Sequence, residues 1–297
     1  MRYVAYQFQR KIKLHKNRKK IASLLSFFSP KIEFNIDKSQ VSELKEINKT
    51  NQVVNQLNSD GIVVFDQPFF SESEVKSIFK ALENKKLFEP YTGKDGYCID
   101  TIPSDCSCSH YERNDIVRIP EVLNLANDPG LLNLAKEFLG STPTISNINL
   151  WWGTYRDGDA VDNELFHRDI DDYNFIKFFI YLTDTDSDDY NIVYVKNTLQ
   201  SKEALSKIRY SDNEITQLFG ADSIVDATGK AGTGFVAANY GVHKGRLPAI
   251  PDRKTALLQI QYSVRGIGGI DYEPVTLDYD KNKYIELNSW INRCLIK

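Results

Sequence analysis

Nowhere does this chain approach the roughly 20 consecutive apolar residues that a membrane-crossing helix needs, which excludes a transmembrane helix. Cysteine is scarce, with four in 297 residues. That is too few for a disulfide scaffold and points to a reduced, cytoplasmic location. Histidine is equally scarce: His15, His110, His167 and His243 are the whole set. The sequence shows neither an internal repeat nor a low-complexity tract. The remainder is ordinary globular usage, 41% hydrophobic and 26% charged, which rules out wholesale disorder.

Acid is missing from the start of the chain. Residues 1–32 carry nine basic side chains and no Asp or Glu; the remaining 28 basic and 40 acidic side chains give the rest a net charge of −12. So acidic a body argues against nucleic acid as a partner. Within the basic segment, Val4, Phe8 and Ile12 repeat every four residues, and Ile21, Leu24, Leu25 and Phe28 follow helical spacing. The pattern predicts a basic amphipathic helix over 1–30. Such a helix can make a peripheral membrane contact or meet an acidic partner. It can equally pack its apolar stripe on the body. A secretory signal is not expected, because the apolar core is short and no small-residue cleavage site follows. Residues 1–50 therefore read as an N-terminal extension and 51–297 as the main domain.

The body opens with a helix ending near Ser59-Asp60-Gly61 and a short buried strand, Gly61–Phe65. Ser71 with Glu74 forms a capping box for a helix over 72–83. Residues 89–112, rich in Gly, Ser, Asp and Cys, read as a long loop. Asp128-Pro129 and Gly140 bracket a further helix, 129–139. From 143 the pattern becomes β: segments 144–155, 174–183, 191–196, 223–227, 234–239 and 254–264 are rich in β-branched and aromatic residues. The fold class expected is mainly β with flanking helices, an antiparallel sandwich or barrel.

Two of the four histidines sit at strand ends. In Phe166-His167-Arg168-Asp169, extended backbone turns His167 and Asp169 to one side. His243 follows the strand Phe235–Asn239. A jelly roll can bring the two places together, and two imidazoles with one carboxylate form the facial triad of non-haem Fe(II) oxygenases. Arg253 stands ten residues past His243. An arginine there can meet the far carboxylate of a metal-bound 2-oxoglutarate bidentately, and Thr255, on the same strand face, can add a hydroxyl. On 175–183, Ile176, Phe178, Ile180 and Leu182 read as core. The alternating Lys177, Phe179, Tyr181 and Thr183 face either the pocket, where Lys177 or Tyr181 can help hold 2-oxoglutarate, or solvent.

The order and spacing of His167-x-Asp169, His243 and Arg253 resemble the phytanoyl-CoA dioxygenase-like (PhyH) family of Fe(II)/2-oxoglutarate-dependent oxygenases. Asp60–Phe65, Phe175–Asp184 and Gly232–Gly245 look like further segments of that family, so the likeness covers residues 55–265. It implies a double-stranded β-helix, the cupin-like jelly roll. It implies Fe(II) held by His167, Asp169 and His243, with 2-oxoglutarate and O2 as co-substrates. The implied reaction is oxidative decarboxylation to succinate and CO2 with hydroxylation of a small-molecule, lipid or glycan substrate. Related halogenases lack the carboxylate, so Asp169 argues for hydroxylation. One departure is Asp189–Val193, which lacks the glycine usual in that turn.

Other readings compete. His167–Asn174 fits the kinase catalytic-loop pattern H-R-D-x-x-x-x-N, but the Gly-rich loop, D-F-G and A-P-E segments that a kinase needs are missing. Cys98, Cys106, Cys108 and His110 are zinc-type ligands, yet Cys-x-Cys spacing is unusual for a closed site, and free thiols are expected. Asp171, Asp172, Asp184, Asp186, Asp188 and Asp189 read as solvated loop acids. Trp151, Trp152, Tyr155 and Arg156 read as packing residues or, less expectedly, as pocket walls. The alternative from another class is a jelly roll that binds without catalysis.

Overall fold

The computed structural model describes residues 2–267, 273–277, 280 and 283–297. Eleven strands are present among them: β1 (Ile62–Phe65), β2 (Leu87–Glu89), β3 (Lys94–Tyr97), β4 (Cys108–Tyr111), β5 (Thr144–Thr154), β6 (Phe175–Tyr181), β7 (Asn191–Val195), β8 (Ile224–Ala227), β9 (Gly234–Ala237), β10 (His243–Arg246) and β11 (Lys254–Ser263). They form a large sheet in the order β1-β9-β6-β11-β5-β4-β2-β3 and a small one in the order β10-β7-β8. Neighbouring strands run antiparallel throughout both sheets. This is the jelly roll expected, with helices outside it.

Alternation on β6 explains the layering. Ile176, Phe178 and Ile180 face outward and join Ile148, Leu150, Leu258 and Ile260 under the helices Ile47–Ser59, Glu72–Leu82, Pro120–Ala126 and Pro129–Leu139. Phe179 and Tyr181 face inward, toward Trp151, Leu257, Phe235 and the small-sheet residues Ile192 and Tyr194. Period-two patterning thus assigns one face to the helix layer and the other to the space between the sheets. Helix ends also follow their sequence signals. Ser71 and Glu74 form the capping box, Asp128 accepts from the Gly130 and Leu131 amides, and Gly140 closes its helix at φ +66°.

Two sequence expectations need correction. Residues 89–112 are not all loop: β3 and β4 lie within them and, with β2, extend the large sheet at one edge. These strands are only three or four residues long, too short for alternation to show. The expected helix over 1–30 is two helices, Arg2–Arg10 and His15–Ser26. The extension also packs on the body. Ala22 belongs to the main core, and Ile12, Ile21 and Leu25 pack against it, whereas Val4, Phe8, Leu24 and Phe28 stay exposed. The amphipathic stripe is therefore divided between body and solvent.

The joint between extension and body is polar. Arg18 is fully buried; it donates to the Gln9 carbonyl at 2.8 Å, to Gln9 Oε1 at 2.9 Å and to the Asp172 carbonyl. Its guanidinium lies 4.7 Å from the centre of the Tyr240 ring, and Tyr240 donates its hydroxyl to the Lys13 carbonyl. His15 stacks on the same ring, and burial lowers its pKa to about 4. Replacing Arg18 by Leu leaves buried acceptors unpaired, at roughly 1–3 kcal/mol each. Arg18→Leu is expected to lower unfolding stability by at least about 2 kcal/mol in urea titrations. An unchanged midpoint would show that the extension is dispensable to the fold.

Candidate metal centre

The site begins at a backbone pairing. His167 donates its amide to the His243 carbonyl at 2.9 Å, and His243 returns the bond to the His167 carbonyl at 3.0 Å. Beside it, the Asp169 amide donates to the Asn239 carbonyl at 3.0 Å. This places the two imidazole centres 4.5 Å apart. Each ring is held from behind: His167 Nδ1 lies 2.9 Å from the Leu165 carbonyl, and His243 Nδ1 3.0 Å from the Gly241 carbonyl. A carbonyl accepts only, so Nδ1 carries the proton in both rings. Each Nε2 then presents its lone pair to the Asp169 carboxylate, 3.4 Å from one oxygen or the other. The three ligand atoms lie within 4.8 Å of one another. They form the only such cluster of metal-type ligands among the described residues.

Electrostatics keep these donors in their ligating forms. Burial by itself raises the Asp169 pKa, but the Lys177 ammonium outweighs it and holds the carboxyl well below its usual range. Burial holds the His243 imidazole neutral, with Asp169 opposing and His167 reinforcing that shift. Lys177 Nζ lies 2.6 Å from Asp169 and 2.9 Å from Asp171. Burial works against its charge, yet the two carboxylates prevail and raise its pKa.

A cavity of about 380 Å³ runs from the triad into the space between the sheets. Its polar lining follows the strand register. One cross-strand row holds Asn147, Gln261 and Lys177; the next holds Asn149, Gln259 and Phe179. Trp151, one of the possible pocket walls, lines it too, whereas Trp152 stacks on Phe79 and Arg156 pairs with Glu164. Gln259 and Gln261 went unremarked in the sequence, although two amides spaced by two in an apolar strand are a legible signal. Asn239 was also missed; its Nδ2 lies 3.2 Å from His243 Nε2.

The residues expected to bind 2-oxoglutarate do not stay together. Lys177 lines the cavity, and it is the only Lys or Arg that does so among the described residues. Arg253 does not line it. It sits at the start of β11, 39% exposed, with Nη1 3.0 Å from both Asp186 and Asp189. Thr255 is buried opposite Gly153, and its hydroxyl has no hydrogen-bond partner. Tyr181 is fully buried and donates to the Ala227 carbonyl. Tyr190 fills the intervening space: a Cβ on Gly153 would lie 2.0 Å from its ring, and one on Gly245 would lie 2.8 Å from its hydroxyl. The acids read as solvated are largely engaged. Asp172 is fully buried and accepts from the Tyr173, Arg265 and Ile267 amides, and Asp171 holds Lys177. Asp186 and Asp189 hold Arg253.

The four cysteines form no disulfide with one another. Cys108 Sγ lies 3.3 Å from His110 Nε2, and burial pushes the Cys108 thiol up and lowers the His110 pKa to about 4. Cys98 instead meets Lys86, and Cys106 meets Thr92.

No helix among the described residues is long and apolar enough to cross a membrane. No family model matches the chain, and no curated protein matches its sequence. Solved structures do match in shape. The non-heme alpha-ketoglutarate-dependent epimerase SnoN from nogalamycin biosynthesis aligns with a TM-score of 0.56 at 12% identity, over 73% of this chain and 84% of SnoN. EctD from S. alaskensis, in its apoform, aligns with a TM-score of 0.53 at 17% identity, over 86% of each chain. SnoN in complex with Fe3+, alpha-ketoglutarate and nogalamycin RO aligns at 0.52. At these identities the likeness is one of fold, the cupin-like jelly roll.

Proposed function

We propose that this protein is a non-haem Fe(II)- and 2-oxoglutarate-dependent oxygenase that hydroxylates a small-molecule, lipid or sugar-conjugate substrate. The observation that carries the reading is the triad itself: two imidazoles locked with Nε2 toward one ionised carboxylate. That donor set fits a borderline divalent ion and leaves the opposite face open. SnoN, whose fold this chain shares, has been crystallised with Fe3+ and alpha-ketoglutarate, which supports the same choice of cofactors here.

His167, Asp169 and His243 would hold the metal. The iron, with 2-oxoglutarate and O2, supplies oxidative decarboxylation and an oxidant for a C–H bond. Lys177 keeps Asp169 ionised, and it is the cation available to a co-substrate carboxylate in the inner cavity, among the amides of Gln259, Gln261, Asn147 and Asn149. Arg253 does not line this cavity, so the family role first expected of it passes to Lys177 in this reading. A jelly roll that only binds its ligand remains the second reading, and iron-dependent succinate release separates the two.

Two outcomes are expected. His243→Ala should abolish stoichiometric Co(II) binding, read by metal analysis after gel filtration; full occupancy in that variant would overturn the triad assignment. Lys177→Met should weaken 2-oxoglutarate binding to the Ni(II)-loaded protein by a factor of about 30 or more, because a desolvated ionic contact is worth on the order of 2–5 kcal/mol. Calorimetry on Arg253→Leu should show nearly unchanged affinity. The reverse ranking would restore Arg253 as the carboxylate anchor.

A further inference from the structure

A second cavity adjoins the triad. About 420 Å³ in volume, it shares Asn163, His167, Asp169 and Asp171 with the inner one. Its walls come from the N-terminal extension, which contributes Tyr6, Arg10 and Lys13, and from the segment 204–210 between β7 and β8. Five cations line it, Arg10, Lys13, Arg168, Lys207 and Arg209, against two carboxylates, Asp169 and Asp171. Both acids lie at the metal end and already face Lys177.

Three of these cations have no carboxylate partner among the described residues. Arg168 spends its guanidinium on the backbone carbonyls of Thr198, Glu203, Ala204 and Tyr240. Arg10 reaches only the Tyr6 hydroxyl, at 3.3 Å, and Lys13 only the Leu205 carbonyl, at 3.4 Å. Lys207 and Arg209 are paired with Glu214 and Asp162. Uncompensated cations gathered around one concavity repel one another, and the main domain carries abundant acid that could have neutralised them. An anionic ligand relieves that repulsion.

We propose that the outer cavity holds the primary substrate by a phosphate or sulfate monoester group, with Arg10 and Lys13 as specificity-determining residues. Resting on the oxygenase reading, this narrows its substrate class. The anionic group sits between the extension and segment 204–210, and the carbon to be oxidised points toward His167 and Asp169. The basic N-terminus is then part of the substrate site. Arg10 and Lys13 suit a dianion better than a single carboxylate, since each has donors left for a charge-assisted hydrogen bond and Arg168 adds its charge to the same cavity.

The probes are phenyl phosphate and phenol, titrated by calorimetry into the full-length Ni(II)-loaded protein. Phenyl phosphate is expected to bind, with affinity that falls as salt rises, and phenol is not. Arg10→Gln/Lys13→Gln, at two exposed positions, should weaken phenyl phosphate by at least about tenfold. Lys76→Gln, the same charge change at a remote exposed site, should leave its affinity alone. Equal binding of the two probes, wild-type affinity in the double variant, or displacement by 2-oxoglutarate would overturn the proposal. So would capture by phosphatidylglycerol vesicles without binding of phenyl phosphate, which would assign the cations to a membrane surface. Co(II) binding measured on the same samples reports on the triad separately. Loss of metal with phosphate binding retained would sink the oxygenase reading and leave the anion site standing.

Discussion

Two backbone hydrogen bonds between His167 and His243 are the constraint on which this molecule turns. They join the segment after β5 to the first residue of β10, and so fasten the mouth of the jelly roll. A bridge of this kind fixes two Cα positions without help from the side chains. The imidazoles then need only a backbone carbonyl each to set tautomer and direction, and Leu165 and Gly241 provide these from two residues upstream. Asp169 is placed by the same device, through its amide and the Asn239 carbonyl. The ligand geometry is therefore set by main chain, which is stiffer than any side-chain network that could have done the work.

Around this frame the charges are arranged in sequence. Asp169 sits between two imidazoles and one lysine, and Lys177 in turn sits between two carboxylates. Taking these groups out of water is costly, so each is stable only while its partner stays. The arrangement keeps the Asp169 carboxylate ionised and places a single cation among the residues lining the inner cavity. In the second cavity the cations outnumber the acids, and the extension supplies two of them. The chain thus separates one positive charge within the barrel from a positive wall outside it, with the ligand set adjoining both.

The sequence made some of this legible and concealed the rest, for physical reasons. Period-two alternation on β6 assigned Ile176, Phe178 and Ile180 to the core, and the capping signals placed two helices at their observed starts. The two histidines of the triad stood out because the chain has only four, and two of these sit beside strands, one with Asp169 two residues on. Length hid β2, β3 and β4, since three or four residues cannot display a period. Gln259 and Gln261 were concealed by their apolar neighbours, although their spacing put them on one face. Asp172 resembled its solvated neighbours and proved fully buried, because three backbone amides converge on its carboxylate. No local pattern announces a partner 93 or 95 residues away.

Arg253 shows how a neighbouring segment decides which groups a side chain meets. The segment Asp189–Val193 was the one place where the chain departed from the family pattern it otherwise resembles. In the structure that segment holds both the carboxylate that engages Arg253 and the tyrosine ring that fills the space behind β10. The two effects reinforce each other. With Tyr190 between Gly153 and Gly245, a side chain entering from the start of β11 finds the interior occupied. With Asp186 and Asp189 outside, it finds two charges to meet instead. An arginine is drawn to whichever carboxylates it can reach at least desolvation cost, and here those lie at the rim. The position of a residue along a strand fixes where its Cα lies, but the groups opposite decide where its charge goes. In this chain they direct Arg253 outward and leave the interior to Lys177.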